Sequence, residues 1–185
     1  RDNLEDLAKY SQLISKFSDD GVTLAGAYGP RYSQQLYYVI KTIAEDLYSR
    51  QACMTIWKKN PLPSKDIPCT ISLQFIVRRV GKRNCLNLIT TMRSQDMWLG
   101  WPYDTFSRAM MAARVIIELR NEYGIELDLG FDYLTCGSAH IYESNFTAVE
   151  HVLLSYVGHA PLIDLPSIAN VSELIHWIRA RGFLS

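Results

Sequence analysis

Five polar residues of this chain have the types and order that a reaction on a small phosphorylated molecule would need. Cys69 follows a proline and offers a thiol, while Arg93 and Ser94 offer a cation beside a hydroxyl. Asp96 and Asp104 add two carboxylates around a glycine and a proline. A nucleophile and an anion-binding cation at the edges of neighbouring strands would suit covalent attack on a phosphorylated substrate.

The residues alone leave two of these roles open. Cys69 is either a buried small side chain, as most cysteines outside disulfides are, or a nucleophile. A reactive thiol needs a lowered pKa, and Arg93 is the candidate cation that would lower it. Asp104 is either a functional carboxylate or an acid favoured in the first turn of a helix by the helix dipole.

Composition excludes several classes of protein. Nineteen basic residues balance nineteen acidic ones among 185, so we expect no nucleic-acid partner and no membrane-surface partner. Four cysteines without C-x-x-C spacing predict reduced thiols in a cytoplasmic protein without zinc. The chain has no run of apolar residues long enough to cross a membrane and no recognisable signal peptide. It does not begin with Met, so we expect a fragment.

Hydrophobic periodicity predicts helices and strands in an irregular order. The predicted helices cover residues 3–18, 33–48, 103–123, 146–156 and 171–180, and the predicted strands cover 52–57, 70–78, 86–92 and 127–136. Ser33 is the expected N-cap of the second helix, Gly81 and Lys82 the expected turn, and Gly124 the expected end of the third helix. This mixture predicts an α+β layered sheet within one domain covering residues 1–185, rather than a regular βαβ winding.

Four motifs occur in order along the chain: Pro68-Cys69, Gln74-Phe75, Arg93-Ser94-x-Asp96-x-x-x-Gly100-x-Pro102 and Gly137-x-x-His140-x-Tyr142. Together they resemble thymidylate synthase and its pyrimidine nucleotide hydroxymethylase relatives. The resemblance implies a mixed β-sheet flanked by helices, with the sheets of two subunits packed back to back in a homodimer. It also implies 5,10-methylenetetrahydrofolate as a cosubstrate. The family's N-terminal segment and C-terminal tail have no counterpart here, so we expect the chain to lack both.

The resemblance implies a nucleoside monophosphate as the substrate and gives five residues a role toward it. Cys69 would add through its thiolate to C6 of a pyrimidine ring, which makes C5 nucleophilic. Arg93 and Ser94 would bind the phosphate, as a guanidinium fork does well. His140 and Tyr142 would bind the sugar hydroxyls, and alternation along a strand would place both on one face.

The remaining implied roles concern the folate, proton transfer and the second subunit. Asp96 resembles the carboxylate that bonds the pterin, with Leu99 and Gly100 beside it in the folate site. Tyr28 resembles a tyrosine near the proton-transfer path. Arg50 resembles a phosphate ligand lent by the partner subunit, although a glutamine follows it where the family usually has a second arginine.

Asp104 stands where thymidylate synthases carry Asn, and it would therefore select the base and take part in catalysis. An ionised carboxylate only accepts hydrogen bonds, so it favours the cytosine amine and repels O4 of uracil. A protonated Asp104 can also donate to N3. A mispaired buried polar edge can cost roughly 10⁴-fold in kcat/KM. The sequence therefore predicts 5-hydroxymethylation of CMP or dCMP.

The product depends on whether water or hydride reaches the transferred carbon. Ile14 and Phe17 align near the position where the synthases place a Trp, and Thr70 follows the nucleophile where they mostly have His. These departures favour a hydroxymethyl product. The alternatives are a thymidylate synthase that methylates dUMP and a nucleotide-binding relative without turnover.

Overall fold

The computed structural model describes residues 12–155 and 169–180, and a mixed four-stranded sheet lies at its centre. The sheet has the order β1-β2-β3-β5, and a separate pair joins β4 to β6. The strands are β1 Cys53–Thr55, β2 Thr70–Val80, β3 Arg83–Met92, β4 Gln95–Asp96, β5 Asp128–Cys136 and β6 Ala139–His140. β2 runs antiparallel to β1 and β3, whereas β3 and β5 are parallel. The predicted α+β class with a mixed sheet is confirmed.

Helices flank the sheet. They are a 3₁₀ helix Gln12–Phe17, α1 Tyr28–Glu45, α2 Gly100–Tyr123, a second 3₁₀ helix Glu143–Asn145, α3 Phe146–Ser155 and α4 Val171–Ala180. The predicted helix over 3–18 is a short 3₁₀ turn where the structure describes it, and residues 3–11 lie outside the described part. None of the helices in the described ranges is long and apolar enough to span a membrane.

The predicted starts of the two long helices were wrong, for the same physical reason. α1 begins at Tyr28, five residues before the expected cap Ser33, and α2 begins at Gly100, three residues before the predicted start. Each helix has a proline, Pro30 or Pro102, as its third residue. The first N–H groups of a helix have no partner within it, so a proline there costs no hydrogen bond.

The predicted turn and helix end are confirmed by two glycines with left-handed backbone. Gly81 has φ of 62° in the tight connection between β2 and β3. Gly124 has φ of 65° at the C-cap of α2, and its N–H donates to the carbonyl of Arg120. Glycine adopts this conformation without the steric cost that a Cβ brings.

The main core lies between α1, α2 and one face of the sheet. Apolar residues at helical spacing on both helices meet alternate residues of β2 and β3; the buried set includes Leu36, Val39, Ile40, Ile43, Leu73, Phe75, Val77, Leu86, Leu88, Ala112, Val115 and Leu119. Each large side chain buried there contributes about 1.5–3 kcal/mol. The Tyr32 hydroxyl donates to the carbonyl of Met111 at 2.9 Å and ties α1 to α2.

Three strand ends meet at one edge of the sheet, and this edge positions the candidate site. β2 begins there, while the antiparallel β3 and the parallel β5 both end there. The Arg93 N–H donates to the Cys69 carbonyl at 2.9 Å, and the Gly137 N–H donates to the Met92 carbonyl at 3.0 Å. A Cβ on Gly137 would lie 3.0 Å from the Arg93 carbonyl oxygen, so glycine permits this close approach.

Candidate active site

The backbone at Cys69 is fixed by Tyr28, the first residue of α1. The N–H groups of Cys69 and Thr70 both donate to the Tyr28 hydroxyl oxygen, at 3.1 and 3.0 Å. Burial raises the pKa of the Tyr28 hydroxyl, which therefore stays protonated at neutral pH. The structure thus brings together two of the predicted catalytic residues, the thiol and the tyrosine.

The loop before Cys69 is tied to the segment before α1. The Gly26 N–H donates to Asp66 Oδ2 at 2.7 Å, and the Lys65 N–H donates to Asp19 Oδ1 at 3.0 Å. A Cβ on Gly26 would lie 2.7 Å from the Asp66 carbonyl oxygen, so glycine is needed for this packing. These contacts hold a loop of three prolines in one arrangement beside the thiol.

Arg93 lies beside the thiol, as the strand pattern predicts. Its Nε donates to the Pro68 carbonyl at 3.0 Å and its Nη2 to the Ile67 carbonyl at 2.9 Å. Its guanidinium carbon lies 6.0 Å from the centre of the Trp57 ring. The side chain is exposed at the end of β3, where a guanidinium could also meet an anion.

The pKa of the Cys69 thiol shifts in the direction opposite to the expected activation. Burial raises the pKa of the Cys69 thiol above 9.0, and the Arg93 charge opposes that rise. Asp104 and Asp66 add smaller effects in the same direction as burial. The net effect of these neighbours favours the protonated thiol.

Asp104 lies in the second turn of α2, beside the tyrosine and the thiol. Its negative charge raises the pKa values of both Tyr28 and Cys69, which locates the three groups within one electrostatic neighbourhood. A small cleft is lined by Tyr28, Thr70, Leu73, Asp104, Ser107, Arg108 and Met111. Thr70, which lines this cleft, directly follows Cys69 in the chain.

The pKa of the Asp104 carboxyl is raised above 3.8, chiefly by burial. A hydrogen bond from Gln95 Nε2 to Asp104 Oδ2 at 2.9 Å and the charge of Arg108 oppose that rise. Asp96 adds like-charge repulsion. Burial and Asp96 thus favour the neutral carboxyl, whereas Gln95 and Arg108 favour the ionised one.

The three residues expected at the folate lie in the turn that enters α2. Asp96 Oδ1 accepts from the N–H groups of Trp98 at 2.9 Å and Leu99 at 3.2 Å. The Leu99 side chain is exposed, and Gly100 is the first residue of α2. The second oxygen of this carboxylate can accept hydrogen bonds from the N–H groups of a pterin, and the exposed apolar surface beside it suits the flat ring.

His140 and Tyr142 are adjacent, but the strand expected to align them is too short. β6 ends at His140, and Tyr142 precedes a 3₁₀ turn instead of continuing the strand. The two rings nevertheless meet edge to face with their centres 5.1 Å apart. The Met97 N–H donates to the His140 carbonyl at 2.9 Å, so this pair adjoins the turn that contains Asp96.

The two remaining phosphate candidates differ in location. Ser94 is half-buried directly after Arg93. Arg50 is exposed before β1, and Gln74 Nε2 donates to its carbonyl at 2.7 Å. Gln74 is five residues beyond Cys69 on β2, which is roughly 17 Å at about 3.4 Å per residue. The Arg50 backbone therefore lies far along β2 from Cys69.

Sequence reasoning missed three residues that support the site. The buried Arg108 and the partly exposed Asp132 form an ion pair with 2.6 Å between Nε and Oδ2, and the Thr90 hydroxyl donates to Asp132 Oδ1 at 3.1 Å. Gln95, the third, bonds Asp104 directly. The spacing of four between Asp104 and Arg108 on a predicted helix was a usable signal, because such residues share a helix face.

Two other features border the site. A larger cleft of about 290 Å³ adjoins the loop before Cys69, with Trp57, Lys58 and Pro68 in its wall. Among the described residues, no group of three or more His, Cys, Asp or Glu side chains is arranged to hold a metal ion. Ile14 and Phe17, the residues aligned with the synthases' Trp, lie in the first 3₁₀ helix.

Comparison with known proteins identifies the class. A family model described as thymidylate synthase matches residues 6–179, and the chain therefore belongs to the thymidylate synthase family. Members of this family are one-carbon transferases, and 5,10-methylenetetrahydrofolate is their one-carbon donor.

Particular relatives include both branches of the family. The deoxyuridylate hydroxymethyltransferase of Pseudomonas phage M6 is 29% identical over 173 residues, which cover 89% of this chain and 44% of that protein. A putative thymidylate synthase of Methanothermobacter marburgensis is 32% identical over 157 residues, which cover 80% of this chain and 64% of that protein. The thermostable thymidylate synthase A of Bacillus subtilis has the same fold, with a TM-score of 0.69 at 19% identity over 91% of this chain and 62% of that chain. This chain thus spans 44% to 64% of the length of these relatives.

Proposed function

We propose that the protein transfers a hydroxymethyl group to C5 of a cytidine monophosphate, CMP or dCMP, with 5,10-methylenetetrahydrofolate as cosubstrate. The observation that carries this proposal is a carboxyl, Asp104, in the electrostatic neighbourhood of Cys69 and Tyr28. The family resemblance puts the base-reading Asn of the synthases at this position. A carboxyl there favours an amine on the pyrimidine ring over a carbonyl oxygen.

The proposed chemistry starts at Cys69. Its thiol loses a proton and Sγ forms a bond to C6 of the ring, while the electron pair of the C5–C6 double bond moves to C5. Burial raises the thiol pKa, so this step requires the proton to leave as the substrate binds. Arg93 supports it, because its charge favours the thiolate and it lies at the loop that carries Cys69.

The folate, when bound, supplies the one-carbon unit. Asp96 would hold its pterin through the carboxylate oxygen not used by the turn, with Leu99 and Gly100 beside it. Arg93 and Ser94 would bind the substrate phosphate, and His140 with Tyr142 would bind the sugar. These roles follow the family resemblance and the adjacency of these residues at one edge of the sheet.

We also propose a homodimer in which the faces of the two sheets opposite the helices pack together. Side chains alternate across a strand, and Asp132 is directed to α2 through Arg108. Its neighbour Tyr133 therefore faces away from the helices. The rings of Phe131 and Tyr133, which are 67% and 55% exposed, have their centres 6.0 Å apart. The distance of Arg50 from its own Cys69 supports a contribution of this residue to the partner's site.

The four free cysteines support a reducing, cytoplasmic location.

A second candidate is modification of a uridylate. The names of two relatives, the deoxyuridylate hydroxymethyltransferases of Pseudomonas phage M6 and Bacillus phage SP01, favour dUMP as the substrate. A neutral Asp104 presents one donor and one acceptor, as Asn does, and could match uracil in that form. Methylation of dUMP is the corresponding synthase reaction.

Release of tritium from 5-tritiated CMP, dCMP, UMP and dUMP in the presence of methylenetetrahydrofolate tests these alternatives together. We expect release from a cytidylate, and a loss of roughly 10⁴-fold or more in Cys69→Ala, because the covalent step is removed. Cys85→Ala, at a buried cysteine of β3, is the matched control and should retain release. Release only from UMP or dUMP would reject the cytidylate assignment.

The same reactions distinguish the product. Formation of dihydrofolate indicates methylation, whereas hydroxymethylation leaves tetrahydrofolate. Binding of a cytidylate without any tritium release would identify a relative that binds nucleotide without turnover.

A further inference from the structure

Gln95 is a buried polar residue to which the proposed function gives no role. Its side chain is 1% exposed, and Nε2 donates to Asp104 Oδ2 at 2.9 Å and to the Asp96 carbonyl at 3.1 Å. Its other terminal atom, Oε1, is buried without a hydrogen-bond partner among the described residues. The amide therefore spans β4 and α2 and contacts the carboxyl that would read the base.

The surrounding backbone is shaped for this contact. A Cβ on Gly100 would lie 2.9 Å from Gln95 Nε2 and 3.6 Å from Asp104 Oδ2, so any larger residue would displace the amide. The Gln95 N–H donates to the Ser138 carbonyl at 2.8 Å, which fixes β4 against the loop before β6. The donor is thus held in place before any ligand binds.

Stability does not account for a glutamine at this position. A buried acceptor without a partner costs free energy, and a methionine of similar shape would avoid that cost. Methionine would, however, lose the donor to Asp104. The one favourable property that glutamine brings here is the hydrogen bond to the base-reading carboxyl and its neighbouring carbonyl.

The chemistry of a carboxyl explains why such a donor would matter. A neutral carboxyl has one donor oxygen and one acceptor oxygen, and the proton can sit on either. Cytosine offers a donor amine beside the N3 acceptor, while uracil offers the N3 donor beside the O4 acceptor. A carboxyl whose proton moves freely between its oxygens would match both bases.

We propose that Gln95 is the positioning residue that sets base specificity. Its N–H occupies a lone pair of Asp104 Oδ2, which disfavours a proton on that oxygen and leaves Oδ1 to carry it. Asp104 then presents its donor and acceptor in one fixed order, and only one of the two pyrimidine edges is complementary to that order. This inference rests on the proposed function, since it assumes that Asp104 meets the base.

The test compares Gln95→Met with the wild type on cytidylate and uridylate. We expect the ratio of kcat/KM for the cytidylate to kcat/KM for the uridylate to fall by about tenfold or more in Gln95→Met. This loss is a fraction of what a fully mispaired edge of the base costs. Gln35→Met is the matched control, because Gln35 Nε2 donates to the carbonyls of Arg31 and Thr55 on the other side of the core. It should lower Tm and leave the substrate ratio unchanged.

The pH profile is a readout that a purely structural role would not move. The charged and titratable groups around Asp104 are Arg108 on its own helix, Asp96 from β4, and Cys69 with Tyr28 across the cleft. The Gln95 donor favours the ionised carboxyl, so its loss should raise the pKa of Asp104. The limb of the profile at which activity falls as the neutral carboxyl ionises should therefore move to higher pH. Gln35→Met should leave the limb in place.

A measurement on the wild type covers the case in which Gln95→Met does not fold. The side-chain NH₂ resonances of Gln95 in a ¹⁵N spectrum should shift as Asp104 titrates, and this shift should be absent in Asp104→Asn. The role of Gln95 would be overturned if folded Gln95→Met kept the wild-type ratio of kcat/KM for cytidylate and uridylate. It would also be overturned if the NH₂ resonances did not shift as Asp104 titrates. Either result would leave the proposed function intact. Absence of exchange on every pyrimidine nucleotide by the wild type would overturn both.

Discussion

Strand β5 carries two aspartates four residues apart, and their surroundings differ. Asp128 pairs with Arg83 beside the hairpin at 3.2 Å, with side chains 47% and 75% exposed. Asp132 pairs with Arg108 at 2.6 Å, with the Arg108 side chain 4% exposed and the Asp132 side chain 24% exposed. Both are Asp–Arg pairs, but one contacts solvent and the other joins the sheet to the helix that carries Asp104.

The difference between these pairs explains how the sheet serves the site. An exposed pair adds little, because water and salt screen it and two long side chains lose freedom. A buried pair must stay intact, since either partner alone would be an uncompensated charge. The Asp132 pair therefore fixes the position of α2 relative to β3 and β5, and with it the cleft that contains Asp104.

Asp132→Ala tests this comparison with the largest expected effect. It leaves the Arg108 guanidinium buried without its partner, and we expect the free energy of unfolding to fall by about 3–5 kcal/mol. Urea unfolding followed by circular dichroism measures the loss. Because α2 would also move, nucleotide binding should weaken in the same variant.

Asp128→Ala is the control on the same strand. Removal of an exposed pair should cost less than about 1 kcal/mol. Equal losses in the two variants would mean that burial does not distinguish the pairs, and the proposed connection between Asp132 and the cleft would fail.

A third carboxyl, Asp104, extends the comparison to pH. Its folded pKa is raised above 3.8, so its neutral form is favoured in the folded state. The stability that it contributes is present below pH 3.8 and is lost as the pH rises through the folded value. Asp104→Asn should therefore have a higher Tm than the wild type at pH 7, and the gap should narrow toward pH 4.

Asp19→Asn provides the opposite sign. Hydrogen bonds from Ser64 and from the Lys65 N–H lower the pKa of Asp19, so its ionised form stabilises the folded state. That contribution is present above pH 3.8 and is lost as the pH falls, so the variant should be less stable than the wild type at pH 7. Thermal unfolding of both variants from pH 7 down to about pH 2 checks the two directions. A wild-type advantage over Asp104→Asn at pH 7 would contradict the first.

Local pattern was enough to predict where the thiol and its neighbouring cation lie. The spacing of β2, the Gly81 turn and β3 brings Cys69 and Arg93 to one sheet edge, and the 2.9 Å bond between their backbones agrees with that. Interactions between distant parts of the chain were not predictable in this way. β4 and β6 have two residues each and pair across more than forty positions, which is too short for a periodic signal.

The direction of the pKa shift of the Cys69 thiol could not be predicted from the sequence either. The cation next to Cys69 could be anticipated from the motif, but burial depends on how α1 and the proline-rich loop pack. Burial outweighs the cation, so the expected lowering of the thiol pKa is reversed. The contact of Gln95 with Asp104 could not be predicted either, because it depends on the β4–β6 pair and on Gly100 at the start of α2.

Arg93 and Arg83 provide the last test, with the smallest expected effect, of the contrast between the candidate site and the exposed connection of β2 and β3. Arg93 contacts the loop of Cys69 and favours its thiolate, whereas Arg83 lies at the hairpin with its side chain 75% exposed. Arg93→Met should slow alkylation of Cys69 by iodoacetamide at pH 8 by roughly twofold to fivefold, the range expected for a partly solvated charge pair. Arg83→Met should leave the rate unchanged. The alkylation rate is then measured against pH. If its midpoint shifts and the limiting rate at high pH stays the same, Arg93 acts on the thiol pKa. If only the limiting rate changes, Arg93 acts by holding the carbonyls of Ile67 and Pro68.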